Sequence, residues 1–297
     1  MVWVLAIAAA ALAYQAAVVV LVTVAWRTVR VAPRRTPADL GLTFSELRVP
    51  TAAGKSLHAW WVAAGAGPRP AVVLVHGWGR NAERTLPYVE VLHPAGFDVL
   101  AIEARHHGAS DADGHASMKK FSEDIRAAID FLVRCPGVDP ARLAVVGLSI
   151  GGSAAIHAAA HDPRIRAVVT VGSFADAREA IVQAGLDSPL LAPAMPLALR
   201  YIEWRVGARF DELAPERVAP RARARLLLVH GEEDATVPVG DVDRLARAAG
   251  ARAEVWRIAG RGHSDCHLEP GFAPRLTGFL ASALGGTGRA EHETGAS

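Results

Sequence analysis

Ser149 stands between glycines in the stretch GLSIGG, residues 147–152, directly after the apolar run RLAVV. A chain that leaves a buried strand and enters a helix within two or three residues forces the residue at the bend into strained backbone. Gly147 and Gly151 take away the Cβ bulk that would hold the two elements apart. Such a bend lifts the Ser149 hydroxyl to the carboxyl edge of a sheet, in front of the N–H groups and positive dipole end of the following helix. A serine hydroxyl near its free pKa is a poor nucleophile, so chemistry here needs a base in contact and a third group to orient that base. Two later stretches offer the right residue types. GEEDATVP presents Asp234, with Glu232 and Glu233 as alternative carboxylates, and GRGHSD presents His263. Each follows a run that reads as a strand, so the three side chains are expected to meet on one sheet edge.

Other candidates carry less. His267, four residues after His263, would share a helix face with it as a metal pair, but no H-E-x-x-H pattern and no third ligand accompanies them. Cys135 and Cys266 sit in no CxxC pair and cannot build a disulfide framework, so neither metal nor cofactor is expected. Ser153, His157 and His161, in the helix after Ser149, read as structural.

The elements that must position these groups are legible as alternating short apolar runs and longer amphipathic ones. FSELRVPT and KSLHAWWVA form an opening hairpin with Gly54 in its turn; six further runs follow at residues 71–77, 97–104, 142–149, 165–172, 224–231 and 253–260. Near-continuous Val, Leu and Ile imply burial on both faces, as parallel strands require. Helices are expected at about 82–95, 118–134, 150–161, 239–249 and 271–284. The fold class is therefore α/β, a mostly parallel eight-stranded sheet with helices on both faces. One connection, residues 174–220, holds no strand pattern and is broken by Pro189, Pro193 and Pro196; its length suggests a helical lid.

Residues 1–26 contain no charged side chain, and as a helix they would reach roughly 39 Å against a hydrocarbon core of about 30 Å. Without a basic leading region or a short apolar core they read as a membrane-spanning anchor rather than a cleaved signal. Arg27, Arg30, Arg34 and Arg35 follow the span, which by the positive-inside rule leaves the body of the protein in the cytoplasm, as a single-pass membrane protein. Residues 27–43 form a linker, 44–284 the main domain and 285–297 a polar tail. The chain of 297 residues is 51% hydrophobic and 21% charged with a net charge of +2, enough for one large core and without the basic, aromatic-interleaved surface of a nucleic-acid binder.

Four motifs in order, HGWG, GLSIGG, GEEDATVP and GRGH, resemble those of α/β-hydrolase fold serine hydrolases over roughly residues 45–284. With the N-terminal span the chain is similar to membrane-anchored members of the Bem46-like and ABHD type. The resemblance implies Ser149 as nucleophile, His263 as general base and then acid, and Asp234, favoured over its neighbouring glutamates by the G-x-x-D spacing before TVP, as the group that orients the imidazole. It also implies an oxyanion hole from the backbone N–H groups of Trp78 and Ile150, with His76 bracing the loop. EARHHGASD resembles the loop after the fourth strand, where His106 stands in a position commonly held by glycine; His106 and His107 read as loop or pocket-wall residues.

The expected activity is cleavage of a carboxylic ester, thioester or amide through an acyl-enzyme on Ser149. An anchor beside an apolar lid points to a lipophilic acyl substrate, lipids among them. An acyltransferase or serine peptidase of the same fold is the first alternative, and a non-catalytic membrane-tethered binding protein the second.

Overall fold

The computed structural model describes residues 1–183 and 191–285. Eight strands, β1 Ser45–Thr51, β2 Lys55–Val62, β3 Arg69–Val75, β4 Asp98–Ile102, β5 Val138–Leu148, β6 Ile165–Val171, β7 Arg225–Gly231 and β8 Ala253–Ile258, form one sheet in the order β1-β2-β4-β3-β5-β6-β7-β8. β2 pairs antiparallel with β1 and β4, and every other pairing is parallel. The helices are α1 Val2–Ala25, α2 Leu86–Leu92, α3 Met118–Leu132, α4 Ile150–His161, α5 Ala177–Ile181, α6 Met195–Val206, α7 Phe210–Leu213, α8 Pro215–Val218, α9 Gly240–Ala249 and α10 Phe272–Ala283.

Period-2 alternation distributes the strand residues between two cores. Val73, Val75 and Val145 pack with Phe121, Ile125 and Ile129 of α3 and with the alanines of α4, whereas Val72, Leu74 and Val146 pack with Leu86 and Leu92 of α2 and Leu276 and Leu280 of α10. Both faces of the central strands are thereby buried, which is why their runs are almost unbroken in Val, Leu and Ile. The sheet order also fixes where a ligand can enter. From β3 the chain crosses outward to β4, while from β5 it crosses the other way to β6, so the carboxyl ends of β3 and β5 flank a topological switch point.

The expected elements are present, and two of them have boundaries shifted by more than two residues. The helix expected at 82–95 is a 3-10 turn over Ala82–Thr85 followed by α2. Pro87 lacks an N–H and suits only a first helical turn, so the α-helix starts beside it. β5 begins at Val138, four residues before its apolar run, because Arg69 N donates to Gly137 O and lines Arg69 up with Val138. The long connection from 174 to 220 is helical where it is described; residues 184–190, including Pro189, lie outside the described residues, as does the expected tail from 286 onward.

α1 differs from every other helix. Of its 24 residues only Val18 and Val22 are buried, and its composition and length suffice to cross a membrane. Its last turn leans on α6, where Thr23 Oγ1 and Tyr201 Oη share a 2.9 Å hydrogen bond. α6 buries Ala198 and Ile202 while leaving Leu197 and Trp204, one behind the other along the same face, largely exposed.

Candidate active site

Ser149 links β5 to α4 with φ 53° and ψ −124°, a conformation that costs a side chain on the order of 1–3 kcal/mol. Close approach of neighbouring atoms on three sides keeps it there. A Cβ on Gly147 would lie 2.4 Å from the Gly151 carbonyl, one on Gly151 2.6 Å from His76 O, and one on Gly152 2.2 Å from Ser173 Oγ. The strand-to-helix bend accounts for the first two glycines; Gly152, the third in the same motif, is equally constrained, though by a contact with Ser173, just past β6, that the motif does not announce. The Ser149 N–H donates to Val171 O at 2.8 Å, and Ser173 Oγ donates to Ser149 O at 3.0 Å, so the bend is fastened to the end of β6. Ser153 is structural, donating to Phe174 O at 3.0 Å.

Asp234 and His263 occupy the loops after β7 and β8. His263 Nδ1 donates to Asp234 Oδ2 at 2.7 Å, which leaves Nε2 as the free ring nitrogen. The other carboxylate oxygen accepts the N–H groups of Thr236 at 2.8 Å and Val237 at 2.9 Å. The Asp234 side chain is fully buried, whereas Glu232 and Glu233 are exposed and make no hydrogen bond to the imidazole. Burial pushes the Asp234 carboxyl up, but donors from His230, His263 and Val237 outweigh it and hold the group well below the usual carboxylate range. His230, buried at the end of β7, places Nε2 3.0 Å from Val237 O and 3.2 Å from Asp234 Oδ2. Its place at a strand end shortly before the acid is the only sequence signal of this second contact.

Gly172 joins the two halves of the site. It follows Val171, whose carbonyl receives the Ser149 N–H, and it has φ 63°. A Cβ there would sit 3.0 Å from His263 Nδ1 and 3.2 Å from Asp234 Oδ2. The imidazole–carboxylate pair therefore rests on the residue next to the serine bend. Among the described residues the Ser149 hydroxyl itself makes no hydrogen bond, a looseness common before substrate tightens a site. Gly172→Ala is expected to lower kcat/KM by roughly 10- to 100-fold, because a displacement of the pair by a fraction of an ångström misaligns it with Ser149. Steady-state kinetics alongside a thermal melt would check this; unchanged kcat/KM would remove Gly172 from the positioning set.

The loop after β3 reaches the serine from the other side. A Cβ on Gly77 would lie 3.4 Å from Ser149 Cβ, so Trp78 follows a residue already in contact with the bend. Neither the Trp78 nor the Ile150 N–H has a hydrogen-bond partner among the described residues; Ile150, as the first residue of α4, has none within its helix. His76 is fully buried and braces this loop, with Nδ1 donating to Gly77 O at 2.7 Å and Nε2 accepting from Ala104 N at 3.1 Å; burial pushes it down to about 4. Its ring lies 4.9 Å from that of His107, which burial, followed by the charge of His76, pushes down to about 3.

His106 has φ 72°, which explains the preference for glycine at its position, and its ring contacts Asp113 at 2.9 Å. Beneath these loops the buried Glu103 carboxylate accepts from Ala82 N at 3.3 Å and Ala109 N at 2.7 Å and meets His58 Nδ1 at 3.1 Å. It ties the β3 and β4 loops together. Cys266 packs in the core, its thiol pushed by burial up to about 11, and His267 lies beside Tyr88.

A family model described as serine aminopeptidase, S33, matches residues 66–206, from just before β3 to the end of α6, and so covers Ser149 but not Asp234 or His263. Thiohydrolase aneE of Aspergillus aculeatus is 32% identical over 170 residues, a match spanning 56% of this chain and about half, 51%, of that relative's length. The putative hydrolase YtaP of Bacillus subtilis is 27% identical over 228 residues, 68% of this chain and 71% of YtaP. Among solved structures, the Pyrococcus furiosus esterase Pf2001 superposes with a TM-score of 0.71 at 22% identity, covering 87% of this chain and 99% of that one. By its sheet order, its strained serine turn and these likenesses, the chain has the α/β-hydrolase fold.

Proposed function

We propose that this protein cleaves carboxylic ester or thioester bonds through an acyl-enzyme on Ser149. The observation that carries the reading is the His263–Asp234 pair at 2.7 Å, seated on Gly172 beside the serine bend at the switch point of the sheet. In the first half of the reaction His263 Nε2 takes the Ser149 proton as Oγ attacks the acyl carbon. The tetrahedral oxyanion is received by the N–H groups of Trp78 and Ile150, and the leaving alcohol or thiol departs with the proton held by the imidazole. Water then attacks the acyl carbon with His263 again as base, and Ser149 is regenerated when the acid leaves. Asp234 stays ionised throughout and stabilises the imidazolium between steps. The likeness to a thiohydrolase supports including thioesters.

The substrate is proposed to be lipophilic and to be met at a membrane. α1 is almost entirely uncovered by the body, and a soluble protein does not leave so long an apolar surface in water. Its arginine-rich flank favours a cytoplasmic body. The apolar face of α6 stands beside the tether, so chain and substrate would concentrate on the same surface.

The deciding experiment is labelling with a fluorophosphonate probe, which is expected to modify the parent protein at Ser149 and to leave Ser149→Ala unlabelled. Equal labelling of both would reject the nucleophile. A series of p-nitrophenyl esters of increasing acyl length then reads the pocket: rates that stay flat or fall with length would replace the lipophilic substrate by a small polar one.

A further inference from the structure

Where α1 meets the body, a cavity of about 310 Å³ opens between the end of the helix, the loop after β4 and the last turn of α6; Trp26, Arg27, Thr28, His106, His115 and Arg205 lie in its wall. Nothing in the proposed reaction uses it. Its charge is one-sided. Arg205 donates one N–H to Tyr201 Oη at 2.8 Å, and neither Arg205 nor Arg27 has a carboxylate partner among the described residues. The acid facing this region, Asp113, is already engaged by Lys120 at 2.6 Å, His106 at 2.9 Å and Arg105 at 3.0 Å. His115 adds a buried Nε2 with no hydrogen-bond partner, on a ring packed edge-on against Trp26 at 5.6 Å. Burial first, then the nearby Lys120 and Arg205 charges, push its pKa down to about 4.

We infer that this cavity is a binding site for a phosphate group, carried by a lipid headgroup or free in solution, held by the Arg27 and Arg205 guanidiniums with His115 in its wall. Guanidinium forks match phosphate oxygens in pairs and remain charged at any physiological pH. The volume falls at the low end of the roughly 300–1,000 Å³ range of small-ligand sites, which suits a headgroup rather than acyl chains. A lipid source rests on the membrane reading of α1, whose last turn would lie at headgroup depth; the anion site does not depend on that reading, nor on Ser149.

The surroundings are tied together by hydrogen bonds. Thr28 Oγ1 donates to His106 O at 3.1 Å, and Arg30 donates to Gly108 O at 3.0 Å and to Ser110 O, so the chain leaving α1 is fastened to the loop that forms the far wall.

The test is calorimetric titration of the full-length protein in dodecyl maltoside micelles with dihexanoyl phosphatidic acid, inorganic phosphate and dihexanoylglycerol. Phosphatidic acid is expected to bind, and Arg27→Gln and Arg205→Gln are each expected to weaken it at least about tenfold, the scale of one charged hydrogen bond. Binding of phosphatidic acid alone identifies a lipid headgroup, and equal binding of inorganic phosphate identifies a free anion; both support the site. Binding of dihexanoylglycerol with the same affinity as phosphatidic acid, binding of neither phosphatidic acid nor inorganic phosphate, or unchanged affinity in the double variant would overturn it. In the unsubstituted protein the His115 imidazole resonances are expected to shift on saturation with phosphatidic acid, a readout independent of how the variants fold; no shift would also overturn it. Ser149→Ala should bind as the parent does, which separates this site from the proposed chemistry.

Discussion

His263→Ala is expected to reduce kcat by about a millionfold and Asp234→Asn by about ten-thousandfold, with both proteins remaining folded. The inequality follows from the geometry. Without the imidazole nothing takes the Ser149 proton, and the residual rate comes from substrate binding and the backbone donors alone. With asparagine in place of Asp234 the imidazole stays where it is, but its Nδ1 now faces an amide. A neutral side chain can hold either tautomer and cannot stabilise the imidazolium. The Thr236 and Val237 N–H groups sharpen the prediction, because they still donate to the oxygen of the substituted side chain and preserve its position. The Asp234→Asn variant would therefore fail chemically rather than structurally. Hydrolysis of an activated ester, with a thermal melt as control, gives both numbers; a drop of less than tenfold for His263→Ala would transfer the base role to another residue and undo the mechanism.

Gly151→Ala is expected to cost about 3 kcal/mol or more of stability, the upper end of overpacking effects, which for a body of this size lowers Tm by roughly 6–12 °C. The added methyl would have backbone oxygens on one side, His76 O at 2.6 Å and Val75 O at 2.8 Å, and neither can swing aside as a side chain could. Relief requires β3 and its loop to move away from α4. That motion carries Gly77 and Trp78 away from Ser149, so the activity of whatever protein remains folded should fall as well. A variant as stable and active as the parent would mean that the close approach of these backbones is not needed.

The buried strands were legible because each is covered on both faces and has no reason to alternate. The serine bend was legible because glycines crowd it. Gly172 was not: at the end of an apolar run a glycine reads as a turn, and only the register of β6 against β5 and β7 shows that an imidazole lies over it. His230 was hidden for a similar reason, since its partner Asp234 is near in sequence but reached only through the loop that folds Val237 back. The buried Glu103, with His58 from an adjacent strand, depends on pairing across the sheet that no local pattern encodes. The start of α2 was misplaced because helical periodicity continues through Ala82–Thr85, while Pro87 decides where the α-helical bonding begins. What local sequence expresses well is which residues are inside; what it expresses poorly is which strand ends stand side by side.

The stitching of the exit from α1 has a bearing on choice of substrate. A flexible leash would let a catalytic body sample every height above a bilayer. Here Thr23 holds Tyr201, while Thr28 and Arg30 hold the loop that runs to His107, whose ring stands 5.8 Å from that of Trp78. With α1 upright in a lipid phase, the mouth of the site would stay at one elevation. Selection would then act on how far a scissile bond can rise from its own anchorage, so that two esters of identical acyl group would be told apart by the length of what moors them.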